Sequence, residues 1–103
     1  MDKMTKEELS RRQEIMDFLS ENVFSPILNS TSASDTLKNG VRYTTMRLKN
    51  LNSEGMIKYY WSAIVGTDKS IEFAKQMRDE GFARFESEDV LQEFRSRFNA
   101  WIF

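Results

Sequence analysis

The sequence predicts an α+β fold: a small antiparallel sheet built on one central β-hairpin, with helices packed on one of its faces. Three observations predict it. Residues 56–65, MIKYYWSAIV, carry three adjacent aromatics followed by Ile and Val, and place Ile57, Tyr59, Trp61, Ala63 and Val65 on one side of an extended chain. Residues 41–49, VRYTTMRLK, are rich in β-branched and aromatic residues. Between them lies NLNSEG, with the Asn, Ser and Gly that turns use. A buried helix over 56–65 also fits so short an apolar run; the aromatic triplet favours the strand.

The remaining elements follow in order along a single domain of residues 1–103. Thr5 and Glu8 form a capping box that opens a helix over about residues 6–23. Its apolar arc at 100° per residue is Leu9, Ile15, Met16, Leu19 and Val23, with Arg12 at the edge and Phe18 off it. Ser25-Pro26 ends this helix near Phe24, because Pro disfavours helical angles in the residue before it. Residues 29–35, NSTSASD, form a polar loop. Ser34 caps one helical turn, Asp35 to Asn39, which stops at Gly40.

After the hairpin, Gly66-Thr67-Asp68 opens a helix over about 68–80 with the arc Ile71, Phe73, Ala74 and Met77, and Gly81 closes it. Phe82 to Phe85, FARF, reads as a short edge strand or a connector. Ser87 caps a last helix over about 87–101, whose stripe is Val90, Leu91, Phe94, Phe98, Trp101 and Ile102.

Composition narrows the chemistry. The chain has 103 residues and neither Cys nor His. Thiolate and imidazole nucleophiles, bases and metal ligands are therefore excluded, and with them His-based triads and zinc sites. The sequence contains no Gly-rich phosphate loop and no calcium-loop spacing. No enzyme activity, cofactor or metal is expected. The charged N-terminus lacks the apolar run of a signal peptide, and no stretch approaches the ~20 residues of a membrane helix. The expected location is cytoplasmic.

The net charge is −1, but Lys38, Arg42, Arg47, Lys49 and Lys58 stand against Glu54 alone over residues 38–58. The outer face of the hairpin, with Tyr43, Arg47, Lys49, Lys58 and Tyr60, therefore has the residue types that stack on bases and hold phosphates. A solvated sheet face carries the same types. The acidic group Glu86, Glu88, Asp89 and Glu93 reads as a solvated helix start. The C-terminal AWIF is apolar, and Trp101 with Phe103 is a candidate partner contact. The expected function is a small interaction or regulatory domain working through protein–protein contacts, including self-association. Nucleic-acid binding through the basic hairpin is the alternative.

Overall fold

The computed structural model describes residues 5–65 and 71–102, and every regular element among them is helical. The predicted hairpin is absent from the described residues. Helix α1 (Lys6–Leu19) runs through a π-helical turn (Ser20–Phe24) into α2 (Ser25–Leu28). Next come α3 (Asp35–Lys49) and α4 (Ser53–Tyr59), the latter continued by a second π-helical turn (Tyr60–Ile64). Helix α5 (Ile71–Asp79), a 3₁₀ turn (Ala83–Glu86), α6 (Glu88–Phe98) and a final 3₁₀ turn (Asn99–Ile102) complete the chain.

The period of burial explains why α3 is not a strand. Leu37, Val41, Thr44 and Leu48 are buried, a spacing of four, three and four residues that belongs to a helix face. The β-preference of Tyr43, Thr44 and Thr45 is a weak bias beside that burial. Thr45 satisfies its hydroxyl within the helix by donating to the Val41 carbonyl at 2.8 Å. Gly40 does not stop the helix. A Cβ there would meet the Phe73 ring at 3.0 Å, so the glycine lets α5 pack closely on α3.

The segment 56–65 likewise buries Met56, Ile57, Tyr60 and Ile64, a helical set. Tyr59 and Trp61, on either side of Tyr60, are half-buried against the same core. More than half of this helix is covered, so its apolar residues mimic a strand in sequence. The stretch 83–86 is a 3₁₀ turn that plants Phe85 in the core, not an edge strand.

The first helix also departs from expectation. Phe18 is buried and Leu9 is 49% exposed, so the core-facing arc is Ile15, Phe18 and Leu19. The helix also continues past Phe24. Its π turn passes the Ser25 N–H to the Ser20 carbonyl five residues back. Pro26 then falls in the first turn of α2, where a missing N–H costs little. In both π turns a side chain donates to the carbonyl four residues earlier: Asn22 to Phe18 at 3.0 Å and Ser62 to Lys58 at 2.8 Å.

Caps read from sequence hold at Thr5 and Ser34, which accept from Glu8 N–H and Leu37 N–H, each at 3.0 Å. Ser87 precedes α6 in extended geometry. Gly81 adopts φ +88°, the left-handed closure that favours glycine. The expected cap at Gly66-Thr67-Asp68 lies outside the described residues.

Two long-range clamps fix helix starts. Glu8 does not reach back to Thr5. Its carboxylate instead accepts from Ser53 N–H and Ser53 Oγ, each at 2.6 Å, at the first turn of α4. Glu80 does the same for Ser34 at the start of α3, at 2.6 and 2.5 Å. Partial burial opposes ionisation of Glu8. The two Ser53 hydrogen bonds, with Arg11 and Arg12 nearby, outweigh it and hold its carboxyl below the ordinary range. Hydrogen bonds from Ser34 and Gln76 lower Glu80 in the same direction.

A carboxyl lowered in the folded state stabilises the fold above its unfolded value and stops doing so as pH falls through its folded value. Urea midpoints are thus expected to fall as pH drops below about 4.5, the ordinary glutamate value. The Glu8→Gln, Glu80→Gln double variant should show a flatter decline. An unchanged slope in that variant would mean the clamps do not carry the acid dependence.

Candidate functional site

The five residues expected on one basic, tyrosine-bearing face do not share a surface. Tyr60 is fully buried; its hydroxyl donates to the Phe85 carbonyl at 2.7 Å and its ring stacks on Phe94 at 4.1 Å. Lys58 is exposed on α4 and pairs with Glu54 one turn back at 3.7 Å. Only Tyr43, Arg47 and Lys49 stay together, all exposed on α3. Trp101 is half-buried, its ring 5.2 Å from Phe98 with the Arg11 guanidinium 5.2 Å from its centroid. Phe103 lies outside the described residues.

The outer face of α3 follows from its inner one. At 100° per residue, Arg42, Tyr43 and Met46 lie opposite the buried Leu37, Val41, Thr44 and Leu48, with Arg47 and Lys49 on the flanks. Tyr43 is 51% exposed and Met46 59%.

Helix α1 lies alongside α3. Arg12 donates from Nε to the Leu51 carbonyl at 2.9 Å and from its terminal nitrogen to the Lys49 carbonyl, covering the C-terminal end of α3. The α2 segment packs on α3 beyond the loop, so the two long helices run antiparallel. A groove of about 560 Å³ separates them, walled by Leu9, Arg12, Gln13, Met16, Asp17 and Ser20 on one side and Thr45 and Lys49 on the other. Asp17 at the groove rim begins an exposed stripe that Glu14 and Glu21 complete, spaced along one side of α1.

The charges on this face make no ion pairs among the described residues, a state they share with Lys38, Glu72, Glu88 and Arg95. Elsewhere on the surface, Glu7–Arg11, Lys75–Asp79, Arg78–Glu86, Arg84–Asp89 and Glu93–Arg97 join Glu54–Lys58 as ion pairs within the 4 Å that defines a contact pair. The acidic group read at the start of α6 is thus largely matched to arginines. On the α1–α3 face, Arg42 donates to Asn39 at 3.0 Å and Asp17 accepts from Gln13 at 2.8 Å. Among the described residues, no ion pair joins Glu14, Asp17, Glu21, Arg42, Arg47 or Lys49 to an opposite charge. Cations and carboxylates face solvent on two sides of one groove.

A second hollow, of about 420 Å³, lies between α3 and α5 with Gly40 and Phe73 in its wall. Its charged rim is mixed, and Lys75 is already paired with Asp79 at 2.6 Å. Among the described residues, no three acidic side chains gather as a metal site, no buried side-chain polar atom lacks a partner, and no helix is long and apolar enough to cross a membrane.

Sequence reasoning missed Arg42, Met46 and the acidic stripe. The signal was present as a spacing of three and four residues, in Glu14, Asp17 and Glu21 and in Arg42 and Met46. A period of two over 41–49 hides Arg42 and Met46; the acidic stripe lies on a helix read correctly, opposite the apolar arc that predicts that helix. Neither a family model nor a curated protein nor a solved structure matches the chain.

Proposed function

We propose that the chain is a small non-enzymatic interaction module of the cytoplasm whose contact surface is the outer face of α1 and α3. One observation carries this reading: opposite charges without an ion-pair partner lie on the two helices that wall one groove, with Leu9 exposed along it and Tyr43 and Met46 exposed on the outer face of α3. Tyr, Met and Arg are the types enriched at interface centres. Solvent-facing charges without internal pairs cost the fold little and steer a complementary partner onto the face. Against an enzyme stands the absence of Cys and His. The shifted carboxyls of Glu8 and Glu80 are also already committed to helix starts.

Arg42, Arg47 and Lys49 with Tyr43 on one helix also suit a nucleic-acid strand. The acidic stripe of α1, one helix-width away, repels a phosphate backbone, so the protein partner is favoured.

Site-specific crosslinking in cells tests the proposal. A photoreactive benzoylphenylalanine in place of Tyr43 should give covalent adducts with protein. The same probe in place of the exposed Gln92 on α6 should give none. Equal yields from both positions, or adducts to nucleic acid alone, would overturn the reading.

A further inference from the structure

We infer that the occupant of the α1–α3 face is a second copy of this chain, related by a two-fold axis running along the groove. The inference rests on the proposed contact face and adds the identity of what covers it.

The face is complementary to itself. Its outer charges are the carboxylates Glu14, Asp17 and Glu21 on α1 and the cations Arg42, Arg47 and Lys49 on α3, while Arg12 of α1 is engaged with the Leu51 and Lys49 carbonyls, and an apolar seam lies between the two stripes. A two-fold axis along the groove lays α1 of one protomer over α3 of its partner, so every acid–base match occurs twice. An axis across the groove would set acid on acid and is excluded by charge. The antiparallel packing also fixes the level of each residue. Arg12 reaches the Lys49 carbonyl, so Glu14, two residues on, stands at the level of Arg47, two residues back. Rotation about the groove axis preserves that level and brings Glu14 of one copy toward Arg47 of the other. Asp17 meets the Arg42 and Met46 region in the same way. The seam of Leu9, Met16 and Met46 closes between them.

The size suits a weak, salt-dependent dimer. Helices α1 and α3 have 14 and 15 residues, about 21–23 Å at ~1.5 Å per residue, and two adjacent helices span about 20 Å. That footprint is about half the ~800 Å² each partner contributes to a standard interface.

The test is light scattering of the full chain at concentrations up to about 1 mM. At about 0.01 M salt, where the Debye length is ~30 Å, the mass should approach twice that of one chain; near 1 M salt, where it is ~3 Å, the monomer should dominate. Glu14→Arg and Arg47→Glu should each raise the dimer dissociation constant at least about tenfold. An equimolar mixture of the two variants should restore a dimer, because each supplies the charge the other lacks. Unchanged circular dichroism and melting confirm that both variants fold, as expected for exposed groups without internal ion pairs.

A strict monomer at low salt, a dimer indifferent to both reversals, or a mixture that stays monomeric overturns the inference. The crosslinking result then separates the two failures. Adducts to a different protein from position 43 leave the face standing and remove only the second copy; no adducts remove both.

Discussion

Phe94→Ala is expected to lower the unfolding free energy by about 3–5 kcal/mol, the largest single loss available in this chain. Phe94 is fully buried on the inner face of α6. Its ring stacks on Tyr60 at 4.1 Å and meets Phe98, Trp61 and Phe18 edge-on at 4.9, 5.5 and 5.7 Å. Those four rings come from α1, from the π turn after α4, and from α6 itself. Truncation therefore opens a cavity where three parts of the chain converge, and it removes aromatic pairs worth about 0.5–1.5 kcal/mol each beyond their buried area. Domains of this size hold only about 5–15 kcal/mol in total. At about 4–8 °C per kcal/mol the melting temperature should fall by roughly 12–40 °C. Thermal and urea unfolding followed by circular dichroism measure it. A loss under about 1 kcal/mol would mean that Phe94 is not the point of convergence.

Tyr60→Phe is the second. It keeps the ring and removes one oxygen, so the stacking on Phe94 survives and no sizeable cavity forms. What changes is the Phe85 carbonyl, which loses its 2.7 Å donor inside the core. An acceptor left unsatisfied in that setting costs about 1–3 kcal/mol. The substitution separates the helical fold from a hairpin, because a Tyr60 on a solvated strand face would tolerate it within about ±0.5 kcal/mol.

The alkaline limb gives a second readout. Burial raises the Tyr60 phenol well above its ordinary value of 10.0, since a phenolate there would lose its water. For a group raised in the folded state, the stability it confers is intact below the unfolded value and erodes as pH climbs past it. Wild type should therefore lose stability above about pH 10 more steeply than the Phe variant. Matching alkaline limbs would place the phenol in water.

Much of the helical punctuation was legible in the sequence. Thr5, Ser34 and Gly81 act through local backbone chemistry, which a sequence carries in full. The stripe of α6 was legible because Val90, Phe94 and Phe98 repeat at four-residue steps with little else apolar around them. The central third of the chain misled for a physical reason. Helix α4 is covered around much of its girth, and a helix buried on several sides shows no polar stripe to betray its period. Gly40 looked like a stop because a glycine's role is set by what approaches it, and Phe73 is 33 residues away. Glu8 matched the capping-box pattern, yet its carboxylate found a better pair of donors 45 residues downstream. The contact face inherits these errors: a period of two over 41–49 puts Tyr43 beside Tyr60 and leaves Arg42 and Met46 out.

The two serine–glutamate clamps have a further consequence for how the chain tolerates being cut. Their spans, Glu8 to Ser53 and Ser34 to Glu80, overlap. A nick in the loop at 29–33 severs the first and leaves the second whole within the C-terminal fragment. A nick anywhere from 35 to 52 severs both at once and splits α3 or its junction with α4. The polar loop before α3 is therefore the natural place for a permissive break, an inserted domain or a split reporter. The next connection, the three residues from Asn50 to Asn52, is the place where a break separates both serines from the glutamates that hold them.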